Sequence, residues 1–127
     1  MEKLSMSSED YLEALVVLGG PGHQTVRSVD VAESLGVSKA SVSKALTTLK
    51  EKGLVDQPPY GDITLTAEGL AYGTAVLDRH QLLFKFMTKT LGIDEVVADE
   101  EACKMEHAMS DESFEKWSAY VNGLTHG

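Results

Sequence analysis

Between Val31 and Leu46 the chain runs Val-Ala-Glu-Ser-Leu-Gly-Val-Ser-Lys-Ala-Ser-Val-Ser-Lys-Ala-Leu. No other segment narrows the fold as much. Two apolar patterns of helical period meet at Gly36. Val31, Ala32 and Leu35 share one face of a short helix, predicted over 29–35 with Ser28 as its cap. Val42, Ala45, Leu46 and Leu49 share one face of a second helix, predicted from Ser38 to about Lys52 and ended by Gly53. Gly36 suits the positive φ that closes a helix, and Ser38 is placed to cap the next one. The small side chain of Ala32 lets the two helices approach closely.

The flanking segments complete a pattern. Residues 7–18 predict an earlier helix, with Ser7 or Ser8 as cap, Glu9 and Asp10 in the first turn, and Tyr11, Leu12, Leu15, Val16 and Leu18 as its apolar stripe. Downstream, Leu54-Val55-Asp56 and Ile63-Thr64-Leu65 flank the Pro/Gly turn Gln57-Pro58-Pro59-Tyr60-Gly61-Asp62, which predicts a small hairpin. Thr66 then caps a long helix to about residue 91, and helical stretches follow at about 94–108 and 111–122, the last opened by Ser110. Three helices, a hairpin and a helical tail is the order of a winged helix-turn-helix. The expected class is therefore mainly α with a small β-hairpin. The winged helix-turn-helix is placed at 1–65 and a helical domain at 66–127.

Composition fits a soluble globular chain: 43% of residues are hydrophobic and 24% charged, too apolar for disorder. No apolar run approaches the roughly 20 residues that span a bilayer, and the N-terminus lacks the basic-then-apolar pattern of a signal peptide. The expected location is the cytoplasm. The single cysteine, Cys103, agrees, because one thiol makes no internal disulfide.

The net charge of −9 opposes DNA binding unless basic groups are concentrated locally. They are. Segment 38–52 carries Lys39, Lys44, Lys50 and Lys52 against the one acid Glu51, whereas the chain after residue 65 carries eleven acids and five basic residues. With Val42 and Leu46 turned inward, the second short helix shows Ser38, Lys39, Ala40, Ser41, Ser43 and Lys44 on its outer N-terminal face. Short polar groups and cations of this kind reach base edges and phosphates. On the hairpin, Tyr60 and Gly61 are placed to touch the DNA backbone or minor groove. A plain helical hairpin with a solvated face is the alternative for the first set, and an ordinary turn for the second.

A second cluster reads Glu100-Glu-Ala-Cys-Lys-Met-Glu-His107. Cys103, Glu106 and His107 stand at i, i+3 and i+4, on one helix face. Thiolate, carboxylate and imidazole form a mixed ligand set for a divalent transition metal. One face rarely completes a coordination sphere. His80 on the preceding helix, and Asp10 and Glu13 at i, i+3 on the first, are the further candidates. The alternative makes Cys103 a small core residue, Glu106 solvated and His107 a surface group.

These stretches resemble the diphtheria-toxin-repressor and manganese-transport-regulator family. The resemblance rests on Ser8-Glu-Asp-Tyr-Leu-Glu13, Leu65-Thr-Ala-Glu-Gly69, Arg79-His-Gln-Leu-Leu-Phe-Lys-Phe86 and, most specifically, Asp99 through Glu112. It covers nearly the whole chain. It implies a homodimer that binds a palindromic operator in double-stranded DNA when loaded with Mn²⁺ or Fe²⁺, and that represses metal-uptake genes. Residues 66–127 then form the dimerisation and metal-binding domain. The matched ligand positions are Asp10, Glu13, His80, Cys103, Glu106 and His107.

The match mixes two branches. Acids at 10 and 13 are of the manganese type, while Cys103 is of the iron type. The iron branch has a second site built with a His and a Glu, where this chain has Asp99 and Phe84. In length the chain is similar to the manganese branch, and the SH3-like domain usual in the iron branch is not expected. Thiolate favours Fe²⁺, Zn²⁺ or Co²⁺, and oxygen donors favour Mn²⁺, so both Mn²⁺ and Fe²⁺ stay open. The apolar residues Leu82, Leu83, Phe86, Met87, Phe114, Trp117 and Val121 on the later helices are the expected dimer surface, or else local core.

Two rival readings remain. One is a metal-independent winged-helix regulator. The other, a metalloenzyme with Glu106 as base, needs an open coordination position and a substrate pocket. No nucleophile motif or Gly-rich phosphate loop supports it, and the chain is not expected to be an enzyme.

Overall fold

Caps and buried faces decide where each helix of this chain starts and stops. The computed structural model describes residues 3–126, with side chains described for 3–123. Among the described residues there are six α-helices: α1 (Met6–Gly19), α2 (Ser28–Leu35), α3 (Lys39–Glu51), α4 (Ala67–Lys85), α5 (Glu95–Ala108) and α6 (Asp111–His126). Strands β1 (Val55–Asp56) and β2 (Thr64–Leu65) form an antiparallel pair, with Val55 opposite Leu65 and Asp56 opposite Thr64. The chain divides into two compact units, Met1–Ala75 and Val76–Gly127, and the division falls within α4.

In the first unit α1, α2 and α3 pack around a core containing Leu12, Leu15, Val31, Val42, Leu46 and Leu49, closed by Leu54, Val55 and Ile63 of the hairpin. A single bridge adds a third edge to that hairpin: Val26 N donates to Ile63 O at 2.9 Å and Ile63 N to Val26 O at 2.8 Å. One residue pair leaves no alternation in the sequence to reveal it.

The expected turn at Gly36 and cap at Ser38 are present. Gly36 is left-handed at φ 66°, and Ser38 Oγ accepts from Ser41 N at 3.1 Å. Two other caps differ from expectation. Ser5, not Ser7 or Ser8, caps α1, because Ser5 keeps an extended backbone and its Oγ accepts from Ser8 N at 3.1 Å. Ser28 does not cap α2 but opens it, after Arg27. Its hydroxyl instead accepts from Gln57 Nε2 at 3.3 Å.

The long helix also ends differently. Its α-helical part stops at Lys85, and a π-helical turn, Phe86–Thr90, carries the chain to Leu91 and Gly92. The widened turn keeps Met87 buried while Phe86 meets Trp117 edge-on at 5.5 Å between ring centroids. α6 runs four residues beyond the expected 122. The side chain of His126, which lies at the chain end, is outside the described residues.

In the second unit Leu83, Met87, Ala98 and Ala102 form the core, with Phe84, Ile93, Met109 and Trp117 against it. This corrects part of the expected dimer surface. Leu83, Met87 and Val121 are buried within the unit, and Leu82, Phe86, Phe114 and Trp117 are half-buried.

Two glycines set the approach of α4 within the first unit. A Cβ on Gly69 would lie 1.9 Å from Leu54 O, and one on Gly73 would lie 2.7 Å from Val16 Cγ2 and 3.0 Å from Leu12 O. Inside a helix, Gly→Ala ordinarily stabilises by up to about 1 kcal/mol. At Gly69 the backbone contact reverses the sign. Gly69→Ala is expected to destabilise by about 2 kcal/mol through overpacking, read as a lower urea midpoint. An unchanged or higher midpoint would show that α4 can move away from Leu54 freely.

Candidate metal centre and DNA-reading face

The outer face of α3 presents what its sequence pattern requires. Val42, Leu46 and Leu49 are buried, which leaves Ser38, Lys39, Ala40, Ser41, Ser43 and Lys44 exposed. Ser38 and Ser41 are partly committed: besides the cap, Ser38 Oγ donates to Ser41 Oγ at 3.0 Å. On the hairpin turn Tyr60 adopts a left-handed φ of 58° and is fully exposed. Gly61 N donates to Pro58 O at 2.9 Å, and a Cβ at Gly61 would strike Pro58 Cγ at 2.4 Å, so the turn depends on this glycine. Gln57 Nε2 bonds both Gly61 O at 3.0 Å and Ser28 Oγ, which ties the turn to the start of α2. Arg27, just before α2, is exposed and held by Asp30 through two bonds of 3.0 Å; that carboxylate raises its pKa.

In the second unit, burial sets the rotation of α5. Asp94 caps it, accepting from Val96 N at 3.1 Å. Ala98 and Ala102 are fully buried, and the next residue on that stripe, four further on, is Glu106. The alanines thus carry a carboxylate into the interior. Its side chain is 0% exposed. His107 beside it is buried too, and Cys103 is half-buried. The ligand atoms of Cys103, Glu106 and His107 lie within 4.8 Å of one another.

His80 enters the same place from α4. Its Nδ1 stands 2.9 Å from Glu106 Oε2, while His107 Nε2 stands 3.4 Å from Glu106 Oε1. Neither contact is aligned as a hydrogen bond, and both buried oxygens of Glu106 lack a hydrogen-bond partner. A buried carboxylate in that condition is costly. Two imidazoles, a thiol and an unsatisfied carboxylate suit a borderline divalent cation, so the donor set fits such an ion. Solvated Glu106 and surface His107, the bland alternatives, are not what the structure shows.

Asp10 and Glu13 belong to the first unit. They sit on α1 three residues apart, both half-exposed. Between them and the α1 cap lies a residue whose role the sequence hid. Glu9 is 1% exposed, and Tyr72 Oη donates to its Oε2 at 2.6 Å while accepting from Leu4 N at 3.0 Å. Glu9 is therefore a core acid rather than a first-turn surface charge. Asp99 was likewise not read as part of the cluster, yet its Oδ1 bonds His80 Nε2 at 2.8 Å. Phe84 stacks beside the His80 ring at 6.4 Å, nearly parallel. Arg79, also buried, pairs with Asp111 at the start of α6 and lies over the Phe114 ring.

Residues 3–63 match the N-terminal DNA-binding domain of iron-dependent repressors, and residues 66–126 match their metal-binding and dimerisation domain. The chain belongs to the iron-dependent repressor family. It is 35% identical over 118 residues to an uncharacterized HTH-type transcriptional regulator of Methanocaldococcus jannaschii, a match covering 93% of this chain and 94% of that one. It is 34% identical over 112 residues to the diphtheria toxin repressor of Corynebacterium efficiens, covering 88% of this chain and 48% of that protein. A solved manganese-dependent transcriptional repressor in complex with manganese superposes with a TM-score of 0.79 at 32% identity, covering 91% of this chain and 52% of that one. The chain spans about half the length of these last two proteins. Among the described residues, no helix is long and apolar enough to cross a membrane.

A buried carboxylate without a hydrogen-bond partner should destabilise the protein when no cation is supplied. In chelator, Glu106→Gln is expected to raise unfolding stability by about 1 kcal/mol, because the amide costs less to bury than the charge. A fall of that size in the urea midpoint would mean instead that His80 and His107 already satisfy the carboxylate.

Proposed function

We propose that the chain is a metal-dependent DNA-binding repressor of metal-uptake genes, working in the cytoplasm as a homodimer on a palindromic operator. The observation that carries this reading is the enclosed Glu106 carboxylate, without a hydrogen-bond partner and faced by His80 and His107, in a domain of the metal-binding type. In functional terms residues 1–65 read DNA and residues 66–127 bind metal and dimerise.

The ligand set we propose is Asp10, Glu13, His80, Cys103, Glu106 and His107. When bound, Mn²⁺ or Fe²⁺ supplies positive charge and directional bonds to these donors, and Zn²⁺ or Co²⁺ can stand in for them in vitro. Asp10 and Glu13 bring α1 into that set. Since α1 packs against α2 and α3, its orientation is also that of the reading face. Ser38, Lys39, Ala40, Ser41, Ser43 and Lys44 enter the major groove, with Tyr60 on the flanking backbone or minor groove. In a dimer the two faces are to match half-sites about one helical turn apart. Metal and DNA then strengthen each other's binding by the same factor. Binding and release, not turnover, is the activity.

Fluorescence anisotropy with a palindromic promoter duplex tests this. The protein is titrated in chelator and then with Mn²⁺, anaerobic Fe²⁺ and Zn²⁺ in turn. At least one metal is expected to raise affinity tenfold or more, about 1.4 kcal/mol of coupling. Equally tight binding in chelator would leave a metal-independent winged-helix regulator. In the same assay, Lys39→Ala and Lys44→Ala are each expected to weaken binding to all duplexes and to lower the slope of log affinity against log salt by about 1. Unchanged slopes would remove these lysines from the phosphate contacts.

A further inference from the structure

The His80 ring stands between two carboxylates of the same helix. On one side Nδ1 is 2.9 Å from Glu106 Oε2; on the other, Nε2 is hydrogen-bonded to Asp99 Oδ1 at 2.8 Å. Asp99 and Glu106 are seven residues apart on α5, two turns along one face, so the ring from α4 bridges them. The two acids differ in surroundings. The Glu106 carboxylate is fully enclosed, whereas the Asp99 side chain is 66% exposed. Phe84, one turn after His80, lies nearly parallel to the imidazole, with 9° between planes and 6.4 Å between ring centroids.

A neutral imidazole has one N–H and one lone pair, and it can hold a cation only through the lone pair. The nitrogen that faces the buried donors here is Nδ1. It can serve there only if the proton is kept on Nε2. A carboxylate that accepts the outer N–H of a ligating histidine fixes both tautomer and ring orientation. We propose that Asp99 is a positioning residue for His80: it accepts a hydrogen bond from Nε2–H, keeps the proton on that nitrogen and leaves the Nδ1 lone pair directed at the Glu106 side. Asp99 acts in this way through His80 and is not itself a ligand, although it occupies a position where the iron branch carries a ligand of a second site. The inference rests on the metal-binding reading of this cluster.

The test uses the full chain, labelled with ¹⁵N and kept in chelator above the titration range of imidazole. Long-range ¹H–¹⁵N spectra distinguish a protonated Nε2 from a protonated Nδ1. Affinity for Co²⁺ is measured separately by competition with a chelating indicator. The wild-type protein is expected to show His80 as the Nε2–H tautomer. Asp99→Ala should lose that preference and bind Co²⁺ about tenfold more weakly. Asp99→Asn, whose amide oxygen still accepts a hydrogen bond, should restore most of both. Glu100→Ala, which removes the neighbouring exposed acid, should change neither.

An Nδ1–H tautomer or a doubly protonated ring in the wild-type protein would overturn the proposal. So would Asp99→Ala with an unchanged tautomer, or an affinity loss that Glu100→Ala reproduces. If the wild-type protein binds no Co²⁺ at all, the metal reading fails, and the tautomer spectra still decide the role of Asp99.

Discussion

The enclosed carboxylate of Glu106 is the constraint on which the second unit turns. A helix can be rotated about its axis at little cost until something fixes its phase. In α5 the phase is fixed by Ala98 and Ala102, which are fully buried in the core of the unit. The third place on that stripe is an acid, so its burial follows from the alanines. Packing energy, spread over the unit, therefore covers the local cost of desolvating one charge. His80, His107 and Cys103 surround that charge without neutralising it by hydrogen bonds.

The first unit solves a different problem, that of holding one helix face clear of its own core. The apolar face of α3 is consumed by Val42, Leu46 and Leu49, and the outer face is left to serine and lysine. A net charge of −9 would otherwise repel a polyanion, but segment 38–52 carries four lysines against one acid, and the chain after residue 65 carries eleven acids against five basic residues. Close glycine contacts at Gly69 and Gly73 bring the first half of α4 against Leu54, Leu12 and Val16. The hydrogen bond from half-buried Tyr72 to buried Glu9 adds a polar bond inside the same unit.

Much of this was legible in the sequence, for identifiable reasons. The α2–α3 turn was, because Gly36 and Ser38 are local signals read within four residues. The i, i+3, i+4 spacing of Cys103, Glu106 and His107 was, because helical period alone puts them on one face. Burial of Glu106 was not, since the phase of α5 depends on what packs under Ala98 and Ala102. The bond from Asp99 to His80 was not either, because it joins residues nineteen apart on different helices. The cap of α1 was misplaced by two or three residues: three serines stand near its start, and backbone conformation selects Ser5. The bridge from Val26 to Ile63 and the Glu9–Tyr72 pair are long-range contacts, which leave no periodic trace.

Gln57 has a consequence for how such a protein can be controlled. Its amide joins Gly61 at the hairpin tip to Ser28 at the head of α2. The tip and the helix pair therefore behave as a stiff key whose teeth are cut at a fixed spacing. An effector cannot easily act by loosening one tooth, because the tip is fastened to the shank. A substitution at Gln57 would unfasten the tip from the shank, freeing Gly61 at the turn from Ser28 at the head of α2.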